Sequence, residues 1–502
     1  MCKVKILPHE VTVEVEEGTD LLAAQIKAGI NPDAPCGGLG KCGKCKADII
    51  GSDGSMTTVL SCTYKIHEDL TIQVRTADAH RILETGTGRK VVLNPAVKEG
   101  YGAAYDVGTT TVVCYLLNLS TGERIATSGM RNPQVQFGGD VISRCEYAIE
   151  NGVEALSNVI RNAMNDLLES VCSQAGINTE DVHLITVAGN TCMHHLFLNI
   201  VPKSLTVVPY RASVTDEIVM KAQDSGLTAA PDAILQILPN IAGFVGADTV
   251  GCLLATEFDK VEEMTLMIDI GTNGEMVMGT KDRMIACSTA AGPAFEGSKL
   301  DCGMRAMNGA IDHAKVEDGK LVFHIIGDGD VKGICGSGLM DITACALTEE
   351  IIDETGKIDD DHELAFNIEG SGMSAIKLTG DIYLSQKDIR EVQLAKGAMA
   401  AGIELLAGEL GIEISDIKKV LIAGAFGNYM SPHSACVIGL IPEELEDRIE
   451  LIGNAAGEGA VIATLNHDEF QRAQKIRDMA EFLELAASPD FQDTFVDHLM
   501  FE

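Results

Sequence analysis

Apolar and polar residues alternate with period two along Val11-Thr-Val-Glu-Val-Glu16, the pattern of a strand with one buried face. Glu17-Gly18 reads as a turn, and Thr19 or Asp20 as the cap of a helix running to about Ala28, with Gly29 placed to end it. Further strands are expected at residues 46–50 and 70–74, which completes a compact α+β β-grasp pattern over residues 1–78. Residues 79–100 carry no clear period and read as a linker.

From Tyr101 onward the pattern repeats itself. A short strand enters Asp106-Val-Gly-Thr-Thr-Thr111, an apolar strand follows at 112–119, and a turn at Ser120-Thr-Gly-Glu123 leads to a third strand at 124–128. The same order returns 163 residues later: a strand at 265–268, Asp269-Ile-Gly-Thr-Asn-Gly-Glu275, a strand at 276–278, a turn at Lys281-Asp-Arg283 and a strand at 284–288. Leu184-Ile-Thr-Val-Ala-Gly-Asn-Thr191 matches Val420-Leu-Ile-Ala-Gly-Ala-Phe-Gly-Asn428, each a buried strand ending in glycine. Gly243-Phe-Val-Gly-Ala-Asp248 and Gly453-Asn-Ala-Ala-Gly-Glu-Gly459 are alike too, each opening a helix. Two α/β halves, 101–262 and 263–502, would enclose one cleft.

Charge narrows the class. The net charge of −36 argues against nucleic acid as a partner. It is unevenly spread: residues 1–100 carry 12 basic and 13 acidic residues, so the acidity belongs to the remainder. No run of 18 apolar residues suggests a membrane span, and Met1–Pro8 lacks the apolar run of a signal peptide. Together with 15 cysteines, this points to a reducing compartment, the cytoplasm.

Four of those cysteines stand apart. Cys36, Cys42, Cys45 and Cys62 follow C-x5-C-x2-C-x16-C, close to the plant-type ferredoxin spacing. Three thiolates on one glycine-rich loop and a fourth from a later segment suit a 2Fe–2S cluster. Zinc sites more often use two close pairs, and disulfide frameworks belong to small secreted proteins. Lys41, Lys44 and Lys46 sit around the loop and offset the cluster's charge. The other eleven cysteines are scattered and read as small buried apolar residues.

A D-x-G-T turn in a hairpin can aim backbone N–H groups at a phosphate, threonine hydroxyls add donors, and the aspartate can hold Mg²⁺ directly or through water. One such turn is weak evidence; two in matching contexts are strong. Asp140, in Asn132-Pro-Gln-Val-Gln-Phe-Gly-Gly-Asp140, is a candidate for metal binding or for orienting water, with a plain helix cap as the equal alternative. Arg144 would share its helix face. Ala290-Ala-Gly-Pro-Ala-Phe-Glu-Gly297 and Ile334-Cys-Gly-Ser-Gly-Leu339 are glycine-rich turns near the same cleft. His194 and His195 read as packing residues rather than paired ligands. No Walker sequence is present.

The paired D-x-G-T turns resemble the phosphate loops of the ATPase superfamily of actin, heat-shock chaperones and sugar kinases. Leu421-Ile-Ala-Gly-Ala-Phe-Gly427 is similar to its adenosine loop, although Ala423 and Ala425 flank a single Gly424. The whole combination resembles the reductive activators of corrinoid proteins. That resemblance implies a β-grasp ferredoxin followed by a duplicated, actin-like (ribonuclease H-like) ATPase. It implies a 2Fe–2S cluster on Cys36, Cys42, Cys45 and Cys62, with ATP and Mg²⁺ in the cleft. Asp106, Asp140, Asp269 and Glu275 are then assigned to catalysis. Gly108, Thr109, Thr110, Gly189, Asn190, Gly271, Thr272, Asn273, Gly424 and Gly427 are assigned to nucleotide binding. The implied activity is ATP-dependent return of a corrinoid cobalt from Co(II) to Co(I) for methyl transfer. Two departures stand out: only 43 residues separate Cys62 from Asp106, where some relatives hold an extra domain, and the last cysteine is Cys436, which excludes relatives with C-terminal cluster cysteines.

Competing readings are an ATP-driven electron donor to a dehydratase or reductase, a nucleotide-sensing scaffold without turnover, and a metabolite kinase, which leaves the ferredoxin without a task. The expected partners are a corrinoid protein and an unidentified upstream electron donor, with a homodimer as a possible assembly.

Overall fold

The computed structural model describes residues 1–7, 10–28, 30, 40, 45–51, 55–74, 87–271, 273–297, 300–327, 329–427 and 429–501. Strands β1 (Cys2–Leu7), β2 (Val11–Val15), β3 (Lys46–Ile50), β4 (Met56–Leu60) and β5 (Leu70–Val74) form a sheet in the order β2-β1-β5-β3-β4. Only β1 and β5 run parallel. Helix α1 (Leu21–Lys27) starts at Asp20, whose side chain accepts the Ala23 N–H, so of the two candidate caps Asp20 serves. Leu21 and Ala24 join Val4, Ile6, Ile72 and Val74 in a small core, the β-grasp arrangement. Strand β4 is missing from the sequence reading because it lies at the sheet's edge, exposed along most of its length, and has no alternation to detect.

Beyond the linker, β6 (Tyr101–Val107), β7 (Thr111–Asn118) and β8 (Arg124–Arg131) form the expected three-strand run. Helices α2 (Val141–Asn151) and α3 (Glu154–Ala175), strand β9 (Val182–Gly189), helix α4 (Thr191–Phe197), strands β10 (Ile218–Lys221) and β11 (Ile234–Ile237) and helix α5 (Ala247–Ala255) follow. The sheet order is β10-β11-β9-β6-β7-β8.

The second half opens with β12 (Thr265–Ile270), β13 (Gly274–Gly279) and β14 (Met284–Thr289). An insertion follows: β15 (Ala310–Glu317), β16 (Lys320–Ile325), β17 (Gly333–Ile334), α6 (Gly336–Thr348), β18 (Ala365–Asn367), β19 (Ser374–Thr379) and β20 (Ile382–Ser385), after which α7 (Gln386–Leu410) takes the place that α3 has in the first half. Then come β21 (Lys419–Ala423), α8 (Gly424–Gly427), α9 (Pro432–Val437), β22 (Ile449–Gly453), α10 (Ala455–Leu465), α11 (His467–Met479), β23 (Ala480–Phe482) and α12 (Phe491–Asp497). This sheet runs β22-β21-β12-β13-β14-β23.

Five positions of the two sheets correspond: β11-β9-β6-β7-β8 and β22-β21-β12-β13-β14. Register corresponds as well. Asp106 pairs with Ala188 across the parallel β6–β9 ladder, and Asp269 with Ala423 across β12–β21. Helices α5 and α10 lie between the sheets and share a core with them that includes Val113, Tyr115, Val250, Leu253, Met267, Val277 and Val461. Their backbones nearly touch: a Cβ on Gly459 would sit 2.2 Å from the Gly251 carbonyl oxygen. Of the eleven scattered cysteines, nine are buried and Cys302 and Cys345 are half-buried, as small apolar residues would be.

The end of the linker is stitched to this joint. Arg89 donates to the Leu254 carbonyl (2.8 Å) and to the Glu469 carboxylate (2.6 Å), and lies 3.2 Å from the Glu257 carboxylate. The Asn94 N–H donates to Leu465 O (2.9 Å), and Asn94 O accepts from the His467 N–H (2.8 Å). Asn466 adds a side-chain bond to Val92 O at 2.7 Å.

Candidate functional sites

In the N-terminal domain, Cys45 directly precedes β3 and Cys62 follows β4 by two residues, so the hairpin register (Lys46 opposite Leu60) brings them together. Their sulfurs are 3.2 Å apart, and the Ser61 N–H donates to Cys45 O at 2.7 Å. Leu22, Ile26 and Leu60 pack around the pair. Two thiol sulfurs converging beside an apolar wall fit ligation of a cluster, which is helped by a low-dielectric shell. Cys36 and Cys42, with Lys41 and Lys44, lie outside the described residues; Lys46 is exposed.

In the larger domain, the strands run through both aspartates, so Asp106 and Asp269 are penultimate residues of β6 and β12 rather than the first residues of the turns. The first loop is held from several sides. Asn132 donates to Gly108 O (2.8 Å), and buried Arg144 donates to Thr109 O (2.8 Å) and Gly138 O (2.9 Å). Asn190, the cap of α4, donates to the Thr109 hydroxyl at 2.8 Å. The Thr110 hydroxyl donates across the cleft to Glu296 at 3.1 Å, so the second half touches the first loop through the 290–297 turn. These anchors leave the loop's shape set by protein before any ligand arrives.

The second loop is described at Gly271 and Asn273; Thr272 lies outside the described residues. The Gly271 N–H donates to Asn273 O at 2.9 Å. Gly424, with φ of +91°, packs against this loop so closely that a Cβ there would lie 2.6 Å from Asp269 Oδ1. The Leu421–Gly427 turn and the second phosphate loop are therefore one packed unit, with Gly427 closing α8.

Four carboxylates gather at this point. Burial pushes Asp106 and Asp269 up to about 7, with Asp248 adding like-charge repulsion to both. Burial likewise raises Asp248 to about 6, and it drives Glu275 well above the ordinary range, with Asp248 and Asp269 contributing. Each carboxylate keeps part of its surface open to solvent while sitting low between the halves. Mutually repelling carboxylates at an open cleft are a donor set suited to a cation. Among the described residues, no three His, Cys, Asp or Glu side chains converge tightly enough to enclose a metal ion unaided. That is the Mg²⁺ pattern, in which one or two carboxylates act together with phosphate oxygens and water.

Asp140 caps α2 in a reciprocal capping box with Ser143, accepting its N–H at 2.8 Å, and is exposed. Its exposed carboxylate turns to Ser143, whereas buried Arg144 turns inward to Thr109 O and Gly138 O, so the two side chains do not act together. His195 accepts the Ser213 N–H (2.9 Å) and bonds Thr191 O (2.7 Å), a packed residue as expected. His194 is also buried and bonds Asn240. Ile334–Leu339 opens α6.

Asp248 and Asn454 were missed as site residues. Asp248 is in the first turn of α5, and Asn454 caps α10 and donates to Asp106 Oδ2 at 2.9 Å. The available signal was the likeness of the two helix-opening segments, Gly243–Asp248 and Gly453–Gly459.

The family models match along the chain. A 2Fe-2S iron-sulfur cluster binding domain matches residues 4–67, the RACo middle region 101–261, and the C-terminal domain of RACo, the ASKHA domain, 263–502. The corrinoid activation enzyme RamQ of Eubacterium limosum is 33% identical, with 99% of this chain and 98% of that protein covered. The chain belongs to the family of reductive activators of corrinoid proteins. A Methanosarcina barkeri reductase of the Co(II) methylated amine-specific corrinoid protein is 27% identical over 80% of this chain and 77% of its own. The solved structure of a reductive activator for corrinoid, iron-sulfur protein superposes with a TM-score of 0.75 at 30% identity, covering 100% of this chain and 98% of that one. As in that family, a 2Fe–2S ferredoxin domain precedes an ASKHA-type ATPase domain. No helix among the described residues is long and apolar enough to cross a membrane.

Proposed function

We propose that this chain returns a corrinoid protein from Co(II) to Co(I) by delivering one electron, and that it turns over ATP between its two α/β halves to do so. The observation that carries the ATPase part is the matched register of Asp106 and Asp269 on duplicated sheets facing one cleft. The family membership supports the choice of a corrinoid protein as the electron's destination. The division of labour follows residues 1–78, a linker at 79–100, and the halves 101–262 and 263–502.

Cys36, Cys42, Cys45 and Cys62 would hold the 2Fe–2S centre, which when bound supplies one-electron transfer near −400 mV. The nearly neutral N-terminal region avoids strong repulsion by its own acidic body. In the cleft, Gly108, Thr109 and Thr110 on one side and Gly271, Thr272 and Asn273 on the other would present N–H and hydroxyl donors to the phosphates of ATP. Asp106 and Asp269, with Asp248 behind them, would hold Mg²⁺, which neutralises phosphate charge when bound. Glu275, whose carboxyl pKa burial holds above its ordinary range, would act in its ionised form as the general base toward the attacking water. Gly189 and Asn190 set the first loop; Gly424 and Gly427 shape the adenosine side. Asp140 fixes the start of α2, and through it Arg144 against Thr109.

An electron donor to a dehydratase or another reductase is disfavoured, because the relatives matched along nearly the whole chain are named for corrinoid activation. The test is Asp269→Ala. ATP-dependent reduction of a Co(II) corrinoid protein should vanish, while the visible spectrum of the iron-sulfur centre stays unchanged. Undiminished activation would reject the role given to the cleft.

A further inference from the structure

The first turn of α10 belongs to the second half, yet its side chains face the first half. Asn454, Gly457 and Glu458 share one helix face by their spacing. Asn454 Oδ1 accepts the Gly457 N–H at 2.8 Å, capping the helix. With its oxygen committed there, the amide nitrogen must point the other way. It donates to Asp106 Oδ2 (2.9 Å) and to the Tyr115 hydroxyl (3.2 Å). Gly457 leaves the room this requires, since a Cβ there would lie 2.6 Å from the Tyr115 oxygen. Glu458, nearly buried, pairs with Arg124 at 2.8 Å, and that guanidinium lies over the Tyr115 ring, 4.6 Å from its centroid. Tyr115 is thus fixed from two sides by residues tied to α10.

We propose that Asn454 is a positioning residue for ATP hydrolysis: its amide pins one oxygen of Asp106 and leaves the other turned toward the cleft. The inference rests on the ATPase reading of the cleft and adds to it that the two halves share one carboxylate. Asp106 lies on the first half, but its orientation is set by the second. Any separation of α10 from β6 therefore releases Asp106 as well. A side chain that can cap but cannot reach Asp106 separates this role from plain helix capping.

Asn454→Ser is that variant, because serine caps α-helices about as well as asparagine. Expected are a helix still capped and a melting temperature lowered by only a few degrees for the lost side-chain hydrogen bonds, unchanged ATP affinity, at least a roughly tenfold fall in kcat for ATP hydrolysis, and a higher Mg²⁺ concentration for half-maximal rate. Asn454→Asp also caps but sets a second carboxylate against Asp106, and should lower kcat further than serine does. Wild-type kcat and Mg²⁺ dependence in Asn454→Ser would overturn the proposal. Wild-type protein and Asp269→Ala run beside them: if the wild type hydrolyses no ATP, it is the ATPase reading that falls, not the placement of Asn454.

Discussion

In the first half, Asp106 faces Val113 across the β6–β7 ladder; in the second, Asp269 faces Glu275 across β12–β13. Everything around these positions agrees: strand order, parallel partner, and the small residue beside each aspartate, Ala188 or Ala423. The duplicated frame therefore explains why two aspartates meet, and the unmatched glutamate shows where the halves part ways. One half supplies a braced loop, with Arg144, Asn132 and Asn190 fixing its backbone and hydroxyls. The other supplies an additional acid with a strongly raised pKa, the kind of group placed for proton transfer. Duplication builds the cleft, and departure from symmetry furnishes it.

The sharpest way to break this comparison is to make the second half resemble the first. Glu275→Gln should cut kcat for ATP hydrolysis about a hundredfold while leaving the melting temperature nearly unchanged, since glutamine keeps the size and shape of the side chain. An equal effect from Val113→Ala would mean that the halves do not differ as described. Next in size is the brace. Arg144→Met removes the donors to Thr109 O and Gly138 O, strands both carbonyls, and should cost about 1–3 kcal/mol of stability. It should also weaken ATP binding roughly tenfold, read by nucleotide competition, because the loop loses its fixed shape.

A smaller effect comes with pH. His194 is buried, and that burial lowers its pKa from 6.5 to about 4. The unfolded chain therefore takes up a proton between those values when the folded one does not. The stability from neutral His194 is present above pH 6.5 and drains away as pH falls toward 4. By pH 5.5 the loss is about 1 kcal/mol. Protection factors of the α4 amides, corrected for the intrinsic base-catalysed rate, should fall accordingly on acidification, and His194→Gln should remove the dependence. The cleft carboxylates push the opposite way, since their raised pKa values favour the folded protein as pH falls. The same profile in wild type and His194→Gln would place the anchoring of α4 elsewhere.

Much of this was legible in the residues. The β-grasp pattern, the two three-strand runs and both aspartates follow from period-two alternation and from glycine-bounded apolar runs, which are local signals. Strand β4 was not legible, since an exposed edge strand needs no buried face. Without β4, nothing explained how Cys62 meets Cys45. Asp248 and Asn454 were out of reach for a different reason. Their roles depend on contacts between residues far apart in sequence, as with Asn454 and Asp106, and spacing along one chain carries no such information. The insertion from β15 to β20 was silent as well, since β17, β18 and β20 have only 2, 3 and 4 residues, too few to show a period.

Arg89 has a consequence for distance. A chain spans at most about 3.5 Å per residue, so the last strand of the ferredoxin domain, ending at Val74, can lie no more than roughly 50 Å from the anchored guanidinium's residue. Were the anchor at Tyr101 instead, the limit would be about 95 Å. The stitch at the joint therefore sets an upper bound on how far the ferredoxin strands can stand from Arg89.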